Sequence, residues 1–167
     1  GIKDPVGMNG IRLEVDTLII QTLSSQIKNL TKTVYRTGLD IDDLVFSPLA
    51  NAEAVLTQRQ KELGVCVVDI GATTTTMAVF EEGDILHLAV LPIGGDHITN
   101  DIGIGLRTSL DVAEKVKLSI GHAVPDNVNH KEEYMISEFG SSEDELVKRK
   151  FVASIIEARV EELMESV

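Results

Sequence analysis

Residues 65–70 read VCVVDI, an apolar run that ends by presenting an aspartate, Asp69. Gly71 and Ala72 follow, then four threonines, Thr73 to Thr76, and a second apolar run. A carboxylate at the end of a buried strand can hold Mg²⁺ through water and so offset phosphate charge. A small-residue turn beside it lets backbone N–H groups approach an anion. The same residues also suit a plain β-hairpin, with Asp69 capping a turn and the threonines chosen for strand propensity. Further along, Glu114 and Lys117 stand three apart, as do Arg159 and Glu162, so each pair shares a helix face. Lys148, Arg149 and Lys150 form a basic cluster on a chain of formal charge −12; it suits an acidic peptide or a solvated helix face. The four histidines, at 87, 97, 122 and 130, have no metal-ligand spacing and read as ordinary polar residues. Cys66 has no flanking base and reads as a buried structural thiol rather than a catalytic one.

These residues need elements to hold them. Residues 1–10 read as loop, 11–22 as a strand becoming buried, and 24–38 as a helix with Ser24 or Ser25 at its start and Gly38 at its end. A short strand near residues 44–46 and a helix from about Pro48 complete a strand–helix–strand unit, which favours a parallel pair. Residues 58–64, QRQKELG, read as a charged linker and a domain boundary. Strands are expected at 65–70, 75–83 and 84–94, the last two joined by the hairpin signal EEGD. A helix capped by Asp96 carries Ile98, Ile102 and Leu106 on one face, and a second spans 109–121. Residues 122–133 read as loop and YMISEF as a strand. The last segment is amphipathic, with Leu146, Phe151, Ile155, Val160 and Leu163 near helical spacing.

The 167 residues suffice for one ordinary domain or two small ones, and 43% hydrophobic with 25% charged residues describes a globular protein. With 27 acids against 15 bases the chain lacks the basic face that nucleic acid or anionic lipid requires. No apolar run approaches a membrane span, and no signal peptide opens the chain. One cysteine makes no internal disulfide, so a reducing cytoplasm is expected. The chain begins without Met and stops inside a helical pattern, which reads as a piece of a longer protein.

Five collinear blocks carry a family resemblance: GIKDPVGMNGIRLE, GLDIDDLVFSPLANAEAVLT, ELGVCVVDIGATTTTMAVFEEGDILHLAVLPIGGDHITNDI, AEKVK and IIEARVEELM. Together they resemble the FtsA family of bacterial cell-division proteins, within the actin-like ATPases. The resemblance implies an α/β class: a partial actin-like (RNase H-like) ATPase fold with a mixed sheet, a three-strand antiparallel meander and following helices. It divides the chain into the end of the 1C insertion (1–14), the later part of subdomain 1A (15–61), the start of 2A (62–95) and mostly 2B (96–167). It implies an ATP site with Mg²⁺ held through water by Asp69. Gly71, Thr73 and Thr74 fall in the second phosphate loop, Gly94 and Gly95 precede a helix facing the γ-phosphate, and Glu114 and Lys117 reach the ribose and base. Ala72 and Thr73 stand where glycines are common and Thr76 where an acid is common, which bears on hydrolysis more than on binding and leaves at most a weak ATPase. The resemblance further implies self-association into filaments and a grip on the C-terminal tail of FtsZ through Lys150, Arg159 and Glu162. It places the protein in the cytoplasm, peripheral on the inner membrane face at the division site through a C-terminal helix absent from this sequence. A nucleotide-degenerate assembly scaffold of pilus-assembly type and a small-molecule kinase of the same superfamily are the alternative readings.

Overall fold

The computed structural model of the chain describes residue 2, residues 5–15 and residues 17–167. Gly1, Lys3, Asp4 and Asp16, which the expected loop and first strand include, lie outside the described residues. The chain divides into two compact units, Gly1–Leu44 and Val45–Val167.

Among its described residues the first unit holds one helix, α1 (Ser24–Tyr35), with Ile27 and Val34 half-buried. Leu23, rather than a serine, occupies the position before it, and no side chain caps it. Gly38 lies beyond the end with φ +83°, a left-handed turn that favours glycine. The strand expected over 11–22 does not form among its described residues, nor does the one at 44–46, so the parallel pair is absent there. Alternation of apolar side chains supplies a face but not a ladder, and neither segment has a strand to bond to. Ile11, Leu13, Val15 and Ile19 are exposed in consequence.

The second unit opens with α2 (Ser47–Val55), whose Pro48 sits in the first turn as its fixed φ requires. Residues 58–63, expected as linker, form a helix, α3 (Gln58–Leu63). A capping box starts it: the Thr57 hydroxyl accepts from the Gln60 amide, and the Gln60 side chain accepts from the Thr57 amide. Lys61 is buried there, its Nζ 2.5 Å from Glu53 and 5.4 Å from the Phe80 ring centre.

Three strands then form an antiparallel meander: β1 (Val65–Ile70), β2 (Thr75–Glu81) and β3 (Asp84–Leu91), in that spatial order. Glu82 and Gly83 both have positive φ, 53° and 85°, the geometry a two-residue hairpin between right-twisted strands demands. Register sets Asp69 opposite Thr76 and Val67 opposite Ala78. The strand expected to be buried at 65–70 is an edge strand covered on one face, so Val65 and Val67 are half-buried and Cys66, expected buried, is exposed. Ala52 of α2 packs on this sheet against Ala78 and Phe80; the two alanines are fully buried, so helix and sheet approach closely.

The second core is helical. It is built from α4 (Gly95–Gly105), α5 (Leu110–Ile120) and α6 (Arg149–Ser166), joined by a hairpin of β4 (Glu133–Met135) and β5 (Leu146–Lys148). Ile102, Val116, Val152 and Ile156 are at its centre. The expected YMISEF strand is three residues long and gives way to a 3₁₀ turn at Ile136–Phe139; another 3₁₀ turn, Pro125–Asn127, interrupts the expected loop. Asp96 lies in the first turn of α4 and the residue before the helix is Gly94, so the cap position expected for the aspartate is held by a glycine. Among the described residues no helix is long and apolar enough to cross a membrane.

Candidate functional site

At the open end of the meander, β1 passes into β2 through residues 71–74, and β3 passes into α4 through residues 92–94. The two connections cross in close contact. Gly95 donates its amide to the Gly71 carbonyl at 2.9 Å, and Asp96 donates to the Ala72 carbonyl at 2.8 Å. A Cβ on Gly94 would lie 2.5 Å from the Gly71 oxygen and 2.6 Å from the Ala72 oxygen, so only glycine permits the crossing. The Gly94 amide donates to Nδ1 of His97 at 3.1 Å. Sequence reading took His97 for an ordinary polar residue; its position three residues after a helix start was the available signal.

The loop is held from inside as well. Gly71 donates to the Thr74 carbonyl at 2.9 Å, and buried Thr75 donates its hydroxyl to the Ile93 carbonyl at 2.8 Å. Thr75 therefore pins the meander to the approach to α4, beyond the strand propensity expected of it. Thr73 and Thr74 are exposed. No hydrogen bond among the described residues uses the amides of Ala72 and Thr73. Adjacent exposed amides of this kind are the groups an anion takes.

Asp69 is exposed at the edge of this loop, and Nδ2 of Asn51, on α2, donates to its Oδ2 at 2.7 Å. Sequence reading passed over Asn51, because it stands 18 residues away and only the packing of α2 on the sheet brings it near. Across the ladder from Asp69, the Thr76 hydroxyl is buried and without a hydrogen-bond partner.

Glu114 and Lys117, on α5, reach the same corner. Their side chains pair at 2.6 Å, and Lys117 Nζ also donates to the Gly95 carbonyl at 3.2 Å. Thr99 of α4, another residue sequence reading missed, lies 2.5 Å from the Glu114 carboxylate and 2.7 Å from Lys117 Nζ. Lys117 and Thr99 together hold the Glu114 carboxyl below its ordinary range. Asp69, Gly71, Thr73, Thr74, Gly94, Gly95, Glu114 and Lys117 are thus gathered around one loop–helix junction.

The candidates on α6 are not gathered in the same way. Arg159 forks onto Asp101 of α4, with contacts of 2.6 and 3.0 Å, and bonds Glu162 at 2.5 Å. The Asp101 hydrogen bond strengthens the charged form of Arg159 and raises its pKa. These three residues line an open groove of about 440 Å³ with Ser154, Ile155 and Ala158. Lys150 is elsewhere, paired with Asp126 at 3.2 Å. Arg149 is occupied inside the fold by Glu132 at 2.7 Å and the Ile120 carbonyl at 3.0 Å.

A family model described as "Cell division protein FtsA" matches residues 66–166. The cell division protein FtsA of Bacillus subtilis is 42% identical over 166 residues, covering 99% of this chain and 38% of that protein. Those of Pseudomonas aeruginosa and Escherichia coli K12 are 40% and 37% identical, each over 98% of this chain and 39% of the relative. The chain therefore spans about two fifths of the length of these curated relatives. Among solved structures, MreB5 of Spiroplasma citri bound to AMPPNP superposes with a TM-score of 0.65 at 18% identity, covering 87% of this chain and 46% of that one. The same protein bound to ADP gives 0.61 at 19% identity, over 87% and 49%. The fold is thus the actin-like α/β fold seen in the MreB5 structures, and by its sequence the chain belongs to the FtsA family of cell division proteins.

Proposed function

We propose that the chain carries one wall of an ATP site, together with partner-binding helices, of an actin-like cell-division protein. The observation that carries this reading is the junction itself. It sets two adjacent unpaired amides, at Ala72 and Thr73, in the loop that follows an oriented carboxylate, and ties that loop through Gly95 to the Glu114–Lys117 pair. Ala72 and Thr73 suit phosphate oxygens, Asp69 suits a Mg²⁺ held through water, and Glu114 and Lys117 suit ribose hydroxyls and base. A bound nucleotide with Mg²⁺ would supply the charge that this wall complements. AMPPNP and ADP, each bound to an MreB5 structure of the same fold, support the ligand class.

In this reading residues 62–95 open subdomain 2A and residues 96–167 are mostly 2B, with residues 1–14 ending 1C and 15–61 belonging to 1A. The whole protein assembles into filaments and holds the FtsZ tail, peripheral to the membrane at the division site. The groove beside Arg159 and Glu162 is the proposed seat of that tail; Arg159 is the cation of its lining, and it is shared with the Asp101 and Glu162 carboxylates that an acidic peptide would have to displace. One observation favours the second reading, an assembly scaffold with degenerate nucleotide chemistry: a neutral, unpaired hydroxyl at Thr76 faces Asp69 across the ladder.

Equilibrium dialysis of labelled ATP with Mg²⁺ tests the proposal. A single wall should bind in the millimolar range, and Lys117→Ala should abolish the signal. Micromolar binding would contradict the single-wall reading, and millimolar binding that survives Lys117→Ala would contradict the site.

A further inference from the structure

Thr99 is buried, 7% exposed, between α4 and α5. Its hydroxyl lies 2.5 Å from the Glu114 carboxylate, 2.7 Å from the Lys117 ammonium and 3.3 Å from the Gly95 carbonyl. A hydroxyl has one proton to give and lone pairs to receive. The short contact to a carboxylate takes the proton, and the ammonium, which can only donate, takes a lone pair. The hydroxyl therefore donates to Glu114 and accepts from Lys117, and the pair cannot turn away from α4 without breaking a charge-assisted bond. Lys117 then carries the chain on to the Gly95 carbonyl, and the Gly95 amide passes it to the Gly71 carbonyl of the loop.

We infer that Thr99 is a positioning residue of the nucleotide site: it fixes Glu114 and Lys117 against α4 and, through Gly95, holds them in register with the 71–74 loop. The groups suited to a ribose and those suited to phosphate then keep one spacing. This rests on the nucleotide reading above. The lowered carboxyl of Glu114, which Thr99 supports second after Lys117, accords with it.

The experiment is NMR on the chain, comparing wild type with Thr99→Val and Thr99→Ser, following the Glu114 carboxyl carbon against pH and the backbone amides against millimolar ATP with Mg²⁺. Thr99→Val keeps the shape and removes the hydroxyl. It should move the Glu114 titration up towards the ordinary carboxylate range and weaken ATP about tenfold, the effect of one hydrogen bond to a charged group. Thr99→Ser should restore both. An unmoved Glu114 titration in Thr99→Val overturns the role of Thr99 whatever ATP does. Equal ATP binding by wild type and Thr99→Val overturns that role alone, whereas no ATP response from the wild type overturns the nucleotide reading and the role together. If Thr99→Val does not fold, the wild-type hydroxyl proton decides: slow exchange with water and proximity to Glu114 support the role, and fast exchange overturns it.

Discussion

Gly95 donates its amide to the carbonyl of Gly71 at 2.9 Å, and the next residue repeats the bond to Ala72. Two donors at the start of α4, which a helix otherwise leaves unpaired, are thereby satisfied by the loop. An anion at this corner meets the amides of Ala72 and Thr73 rather than those bonded helix amides. Loop and helix behave as one body, and a change in either is transmitted to the other.

Gly94→Ala tests that body. The Gly94 φ of −169° is open to any residue, so the effect is steric and not conformational. A methyl 2.5 Å from a backbone oxygen forces loop and helix apart. The expected cost is about 1–3 kcal/mol in denaturant unfolding, as for other overpacked sites. It should come with loss of the Gly95 and Asp96 amide protection in hydrogen exchange.

Thr76→Val should act in the opposite direction. The wild-type hydroxyl is buried without a partner, and valine replaces it with a methyl of similar shape. Removing a buried unpaired donor is expected to stabilise the fold by roughly 1 kcal/mol, read from the midpoint of urea unfolding.

The pH dependence of stability should carry a contribution from Glu114. Its folded pKa lies below the ordinary glutamate range, because Lys117 and then Thr99 bond its ionised form. A carboxyl of depressed pKa contributes stability that is fully present above its unfolded pKa and lost as pH falls through the folded one. Wild type should therefore exceed Glu114→Gln in stability at neutral pH, and the gap should close on acidification below 4.5. Unfolding midpoints of the two proteins across that range measure the gap.

Arg159 serves the fold before it serves a partner. Its fork onto Asp101 ties α6 to α4, with both side chains about three-quarters buried. Arg159→Ala should cost about 1–2 kcal/mol in unfolding for the lost charge-assisted bonds. Charge reversal at Arg159 would thus weaken an acidic peptide through the fold as well as directly. Glu162→Gln, at an exposed side chain, is the cleaner probe: peptide affinity should rise while the unfolding midpoint moves little.

The meander was legible in the sequence because its signals are local: alternation, the EEGD turn and closely spaced apolar runs. The helices α4, α5 and α6 were legible from periodicity. The strands at 11–22 and 44–46 were not, because apolar alternation describes a face while a strand requires a partner to complete its ladder. The helix at 58–63 carried its own signal, Thr57 with Gln60, which its charge obscured. At the site, the acid and the glycines could be read from their order. Asn51 and Thr99 could not be assigned from spacing alone, since each acts through contacts that α2, α4 and α5 create only on packing, whereas His97 bonds Gly94 locally at the start of α4. Arg159 reads as a partner-binding residue in the sequence, and its tie to Asp101 is not legible there because that residue, 58 positions before it, is its neighbour only in three dimensions.

The central claim is that the loop at 71–74 receives phosphate, and amide chemical-shift mapping with ATP and Mg²⁺ tests it most directly. The expected result is a saturable shift, in the millimolar range, largest at Ala72 and Thr73 and extending to Gly95 and Lys117, with Asp69→Asn removing the Mg²⁺ dependence. Shifts confined to other parts of the chain, or a response at Ala72 and Thr73 that inorganic sulfate reproduces in full and Asp69→Asn leaves unchanged, would contradict it.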